Sequence, residues 1–289
     1  MQEVRIKKIK KLVGKKDRYD LTVNSTHNFF ANGILIHNTS GRVGHVILDR
    51  TFTWMDRLAK WFGAKIAEEK WGYLNGTRRV VLEETTGTQF HDPTIREKAF
   101  ELFNGNLRKG ETIYFEIVGY EPDGKTIMPS VDTSVLKDKD FTATYGKTMT
   151  YSYGCEPGKS DVYVYRITMT GADGHSVDLP WNDVKSRCTE LGVKHVPELG
   201  RITLNEIRLK LGTSDPRDVQ DELMKIVDLH AQGPSLLDSK HIREGVCVKI
   251  DHYGLTPRVY KHKSFTFKVL EQIVKDIGLV DQEEVQDNS

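Results

Sequence analysis

The sequence predicts an α+β protein, and three patterns carry that reading. Apolar and polar residues alternate in short runs such as RYDLTVN, where Tyr19, Leu21 and Val23 share one side of a strand. Apolar residues recur at helical spacing over 216–230, where Asp215 caps, Pro216 fits the first turn, and Val219, Leu223, Ile226, Val227 and His230 fall on one face. In NFFANGILIHN, Asn32-Gly33 sits between apolar flanks, a strong hairpin signal because a type I′ turn needs positive φ at both central positions.

In chain order, the first 18 residues carry Arg5, Lys7, Lys8, Lys10, Lys11, Lys15, Lys16 and Arg18 against Glu3 and Asp17. Such a segment is a solvated strand face or a surface that steers an acidic partner, since opposite charge raises encounter rates. Two strands then bring the chain to His37-Asn38. Beyond residue 38, helices are expected near 54–70, 93–104, 181–191, 216–230 and 265–277. Strands are expected near 43–48, 78–83, 112–119, 162–169, 245–250 and 258–263.

Composition narrows the class. With 38% hydrophobic and 29% charged residues, the 289-residue chain has enough apolar side chains for a packed core. A net charge of +1 gives no global nucleic-acid signature. No apolar run is long enough to span a bilayer, and the basic start lacks the apolar centre of a signal peptide. Cys155, Cys188 and Cys247 are odd in number and widely spaced, which points to reduced thiols in a cytoplasmic protein. Of the ten histidines, His45, His91, His175, His195, His230, His241, His252 and His262 are scattered with no HxH or HExxH spacing and read as ordinary residues. Trp54, Trp61 and Trp71 read as core residues, and GYEPDGKT as a turn.

The end of the first segment has a specific chemistry. An Asn side-chain amide can attack its own backbone carbonyl and break the following peptide bond. An adjacent His speeds this by general acid–base chemistry, and the Thr39 hydroxyl beyond it is a nucleophile for acyl transfer. The string YDLTV, then HNFF, then ANGILIHN followed by Thr, resembles the C-terminal splicing blocks of inteins. The resemblance implies a β-rich, Hint-type split-intein C-fragment over residues 1–38. It implies that Asn38 cyclises with help from His37, that His27 supports this cleavage, that Asp20 supports the earlier acyl transfer, and that Thr39 is the acceptor. The intein's first residue and its Thr-x-x-His block are expected on a partner chain carrying the N-intein.

Residues 39–289 place charges on strands. In TIYFEIVGY, Glu116 lies on the strand face opposite Phe115 and Ile117. In EGVCVKID, Glu244 precedes a strand on which Lys249 shares a face with Cys247. In VYKHKSF, Lys261 and Lys263 leave the same face, while His262 between them points the other way. Two parallel ammonium groups repel unless an anion such as a phosphate lies between them. Carboxylates nearby suit a ribose hydroxyl or a divalent metal.

In that order, IYFEIVGY, YVYRI, EGVCVKI and YKHKSF resemble motifs III, IIIa, IV and V of the covalent nucleotidyltransferases. The similarity is to ATP-dependent RNA ligases of the phage T4 RNA ligase 2 type. It implies a core of antiparallel sheets flanked by helices, with ATP and Mg2+ as cofactors and RNA ends as substrate. Glu116 would contact the ribose and Tyr165 would stack on adenine. Glu244 would bind the metal, and Lys261 and Lys263 would hold the α-phosphate. Arg78 or Arg79 would contact the outer phosphates or the RNA. The family's attacking lysine, in Lys-x-His/Asp-Gly, is absent, whereas Thr39-Ser40-Gly41-Arg42 resembles the residues that come after that glycine. The intein is therefore expected to interrupt motif I, with the lysine on the partner's extein. The stretch between Glu116 and Tyr165 is longer than the family pattern, and no large domain is expected after motif V. A DNA ligase, a capping-type enzyme and a non-catalytic nucleic-acid-binding extein are open alternatives. The setting implied is the cytoplasm of a bacterial or phage-infected cell.

Overall fold

The computed structural model describes residues 6–11, 19–23, 39–48, 54–63, 70–76, 93–171, 174–251 and 259–271. The chain divides into two compact units, Met1–His37 and Asn38–Ser289. In the first, β1 (Ile6–Lys11) pairs antiparallel with β2 (Tyr19–Val23), setting Ile9 opposite Leu21 and Lys10 opposite Asp20. The basic segment thus contributes a strand. The expected Asn32-Gly33 hairpin lies outside the described residues.

The second unit is mixed α and β. In chain order it contains β3 (Thr39–Leu48), α1 (Trp54–Trp61), β4 (Lys70–Gly76), α2 (Pro93–Glu101) and β5 (Glu111–Gly119). Then come β6 (Val131–Asp132), a 3₁₀ turn (Thr133–Leu136), α3 (Lys139–Tyr145), β7 (Thr148–Met149), β8 (Ser160–Thr170) and β9 (Ser176–Asp178). The unit continues with α4 (Trp181–Leu191), β10 (Lys194–His195), α5 (Leu204–Leu211), α6 (Pro216–Ala231), β11 (Gly245–Lys249), β12 (Val259–Lys263) and α7 (Phe265–Leu270). The main sheet has the order β10-β8-β5-β3-β4, with β9 added to β8. Its pairings are antiparallel except that of β10 with β8. β11 and β12 form a separate antiparallel ribbon.

Alternation on β5 decides where the core sits. Ile113, Phe115 and Ile117 are fully buried and pack with Phe100 of α2, with Phe103 just beyond it, and with Val184 and Cys188 of α4. Phe103 stacks on Phe115 at 5.0 Å. Gly41 on β3 faces Phe115, and a Cβ there would lie 2.5 Å from the ring, so the close approach requires glycine. A second apolar cluster forms where the long stretch after Glu116 meets the C-terminal elements. Met128, Met149 and Tyr151 bury themselves with Ile242, Phe267 and Leu270 there.

Several elements differ from the sequence expectation. Helix 54–70 stops at Trp61, followed by Gly63 at φ +80°, and Lys70 already begins β4. The expected strand 78–83 lies outside the described residues. The assignment of Trp54 and Trp61 to the core is overturned, since they are 72% and 78% exposed. Trp71 is half-buried, edge-on to His45 at 5.6 Å. Periodicity predicts neither α3 nor α5, yet α5 begins with a complete Thr203–Glu206 capping box, a signal legible in T-x-x-E. α4 spans 181–191 as expected. α6 buries Val219 and Val227, half-buries Leu223, Ile226 and His230, and starts on the Asp215 cap. All three cysteines are free thiols. No described helix is long and apolar enough to cross a membrane.

One ion pair joins α4 to the sheet. Arg187 donates from Nε and Nη2 to both oxygens of Glu111, each at 2.8 Å, and from Nη2 to the Asn106 carbonyl at 2.8 Å. The Glu111 side chain is 1% exposed, so its charge has no water to fall back on. Breaking a buried pair from one side typically costs about 3–5 kcal/mol. Arg187→Met is therefore expected to destabilise the chain by about that amount in urea denaturation. Adding Glu111→Gln should restore much of the loss. A single substitution that leaves the urea midpoint unchanged would show that the pair holds nothing together.

Candidate functional site

The outer row of β5 carries the first candidates. Cross-strand pairing sets Ser40, Glu116 and Tyr163 side by side, and Ser40 Oγ donates to Glu116 Oε1 at 2.7 Å. Two residues further along, β8 slips by one. Tyr114 pairs with Arg166 while Phe115 pairs with Val164, which leaves Tyr165 as the extra residue of a bulge. Both residues around the bulge then reach Tyr114. The Tyr165 ring lies 6.4 Å from its ring, and the Arg166 guanidinium sits 4.7 Å over its face.

From there a polar chain leads to the ribbon. Arg166 Nε donates to Asp178 Oδ1 at 2.6 Å, and Asp178 is nearly inaccessible. Its other oxygen lies 3.8 Å from Lys249 Nζ, which donates to the Leu179 carbonyl at 2.7 Å. Lys249 therefore joins β11 to the sheet's edge strand.

The ribbon register fixes which lysines share a face. Gly245 pairs with Lys263, Cys247 with Lys261 and Lys249 with Val259. Direct antiparallel partners lie on the same side, and alternate residues along each strand do too. Lys249, Lys261 and Lys263 therefore project from one face, with Cys247 among them. His262 is on the other, with Nε2 2.7 Å from Asp228 of α6. Gly245 has no room for a side chain, because a Cβ would sit 2.1 Å from the His262 carbonyl oxygen. The Glu-Gly pair thus lets β12 close against the start of β11.

Glu244 is held on two sides. Its carbonyl accepts from Ser264 N at 2.8 Å, and Tyr153 Oη donates to Oε1 at 2.7 Å. Near it, burial pushes the Glu271 carboxyl up to about 7, with the Glu244 charge acting in the same direction and Lys263 opposing. Among the described residues, no three His, Cys, Asp or Glu cluster to hold a metal. Magnesium usually takes one or two carboxylates together with phosphate oxygens and water. A pair such as Glu244 and Glu271 beside lysines fits that mode of binding.

The structure thus links Tyr165 through Tyr114, Arg166 and Asp178 to Lys249, and links Glu244 to the Lys263 end of the ribbon. Glu116 sits on the β5 row with Tyr114, and Lys261 is exposed on the lysine face. Asp20 lies within β2, and Thr39 opens β3 opposite Ile117. His27, His37, Asn38, Arg78 and Arg79 lie outside the described residues. Sequence patterns alone miss Ser40, Tyr114, Tyr153, Arg166, Asp178 and Glu271. Arg166 is within sight in YVYRI, but strict alternation would turn it inward, and only the bulge brings it out. Asp178 lies on a three-residue strand with no periodicity to read.

The raised Glu271 carboxyl has a consequence for stability. Its ordinary value is 4.5 and its folded value about 7, so ionisation opposes folding. The penalty is absent below the ordinary value, grows as pH rises between the two, and is complete above the folded value. Glu271→Gln is expected to raise the melting temperature relative to the parent chain more at pH 8 than at pH 4.5. An equal gap at both pH values would mean that the carboxyl titrates normally. Comparison with protein-family models, with curated proteins and with solved structures returns no match for this chain.

Proposed function

We propose that the chain is a splicing precursor. Residues 1–38 are the C-terminal half of a split intein. Residues 39–289 are the C-extein of an ATP-dependent RNA ligase that becomes complete only after trans-splicing. The ligase reading rests on one observation above others. Three lysines share a ribbon face, and that face is tied through Asp178 and Arg166 to the aromatic and acidic row on β5. Such a face suits a nucleotide, with a flat ring for the base, a carboxylate for the sugar and ammonium groups for phosphate. The intein reading rests on the ordered splicing blocks. The first compact unit also ends at His37, one residue before the expected scission.

In this mechanism, Asp20 supports acyl transfer from the partner's junction to Thr39 Oγ. The Asn38 side-chain nitrogen then attacks its own carbonyl carbon, and the bond to Thr39 breaks as His37 protonates the leaving amine. His27 supports that step, and the freed Thr39 amine then takes the acyl group from Oγ, breaking the ester and forming the peptide bond that joins the exteins. The rejoined ligase carries a lysine from the partner's extein, whose Nζ attacks the α-phosphorus of ATP and expels pyrophosphate. The RNA 5′-phosphate displaces the lysine, and a 3′-hydroxyl displaces AMP as the strand is sealed. Lys261 and Lys263 hold the α-phosphate oxygens as charge builds on them. Tyr165 stacks on adenine and Glu116 accepts from the ribose. Arg78 or Arg79 meets the outer phosphates or the RNA. Glu244 holds Mg2+, which, when bound, neutralises phosphate charge.

Mixing the chain with an N-fragment chain, labelled ATP and Mg2+, then running a denaturing gel, tests both halves of the proposal. A longer spliced band carrying label is expected. A spliced band without label would keep the intein and turn the extein into a binding module. Asn38→Ala is expected to stop release of the 38-residue fragment, and full splicing by that variant would defeat the intein mechanism. Lys261→Ala or Lys263→Ala in the spliced protein should lower lysyl-AMP formation by about 100-fold or more. Normal adenylation by both variants would sink the assignment of the ribbon lysines.

A further inference from the structure

The stretch between Gly119 and Ser160 departs from the family pattern, and the proposed chemistry leaves it without a role. Its sequence Ser152-Tyr153-Gly154 is gripped at three consecutive residues by the segment 238–244. Ser152 Oγ and Gly154 N both donate to Asp238 Oδ2. Between them, Tyr153 N donates to His241 Nε2 at 3.3 Å. The other ring nitrogen, His241 Nδ1, lies 2.8 Å from the Ile242 carbonyl oxygen and must donate to it. The imidazole is therefore the neutral Nδ1–H tautomer, with Nε2 free to accept. His241 is fully buried, edge-on to Tyr151 at 5.2 Å and to Tyr153 at 4.7 Å.

Inside this grip Tyr153 has φ +50°, a left-handed conformation that side-chain-bearing residues rarely adopt. Strain of that kind persists only where the surroundings over-determine it, and it concentrates at sites with a task. The conformation brings the Tyr153 hydroxyl to Glu244 Oε1, 91 residues later in the chain, at 2.7 Å.

We propose that Tyr153 is a positioning residue, and that segment 120–159 serves as a strap that holds the Glu244 carboxylate at the Lys263 end of the ribbon. The proposal rests on the assignment of Glu244 to the nucleotide site. The strap is anchored independently of that site. Met128, Val131, Met149 and Tyr151 bury themselves against Phe267 and Leu270 of α7, the helix directly after the lysine strand. One apolar cluster thus fixes both the origin of the Tyr153 hydroxyl and the end of the ribbon that Glu244 faces.

The test is a double-mutant cycle in the spliced protein, read as single-turnover transfer of label from ATP. Tyr153→Phe keeps the ring and removes the donor. A hydrogen bond to a charged group is typically worth enough to slow the step about tenfold. The ATP concentration for half-maximal rate should stay within about twofold, because aim rather than uniform binding is lost. In a Glu244→Gln background the same change should cost nothing further. A wild-type rate for Tyr153→Phe, or losses that multiply in the double variant, would overturn the proposal. If the unsubstituted spliced protein forms no lysyl-AMP, the ligase reading fails by itself. The strap is then judged by thermal denaturation of the 289-residue chain. There, non-additive effects of the two substitutions uphold it and additive effects overturn it.

Discussion

The paired ladder on both sides of β5 is the constraint on which the second unit depends. Each residue of a central strand is committed to one face by its neighbours' hydrogen bonds, and a slip of one residue would turn every side chain over. Ile113, Phe115 and Ile117 occupy the inward positions with no exposure. Thr112, Tyr114 and Glu116 have no choice but the other side. The site row on this sheet is thus a by-product of core packing. The Arg187–Glu111 pair then closes the end of β5 where α4 crosses, and it does so without using any residue of the row.

The ribbon of β11 and β12 supplies a complementary constraint. Antiparallel pairing puts three lysines on one face, an arrangement that gains nothing by itself because like charges repel. Lys249 offsets part of that cost against Asp178, which is itself held by Arg166. The Glu271 carboxyl feels the charges of both Lys263 and Glu244. The charge at the Lys249 end of the face is therefore balanced by a protein carboxylate, and Lys261 in the middle is exposed to solvent. On the proposed reading, an incoming phosphate completes this balance, which gives the site its preference for an anion.

The second apolar cluster shows how a stretch with little periodicity can build a core of its own. Residues after Glu116 make their own small core with α7 rather than extending the main one. Two short strands, β6 and β7, and the Asp138-capped α3 stiffen it. The result is a rigid support behind Glu244, built from residues whose sequence looks like a loop.

Local pattern was enough to determine much of this protein. The α+β class, the two long helices near 181–191 and 216–230, the faces of β5, and the shared face of Lys261 and Lys263 follow from periodicity and capping, which act between residues near in sequence. The same holds for His262, which strand alternation turns to the face away from the lysines. Tertiary structure alone decided the rest. The bulge that frees Tyr165 and Arg166 arises where residues 160–169 of β8 are matched to the nine residues of β5 with core on one side. Trp54 and Trp61 read as core because aromatic residues on an amphipathic helix usually are, yet burial depends on what packs opposite, which no helix encodes alone. The meeting of Tyr153 with Glu244 spans 91 residues and a positive φ. Only the whole packed fold can hold a residue in a conformation its own local preferences oppose.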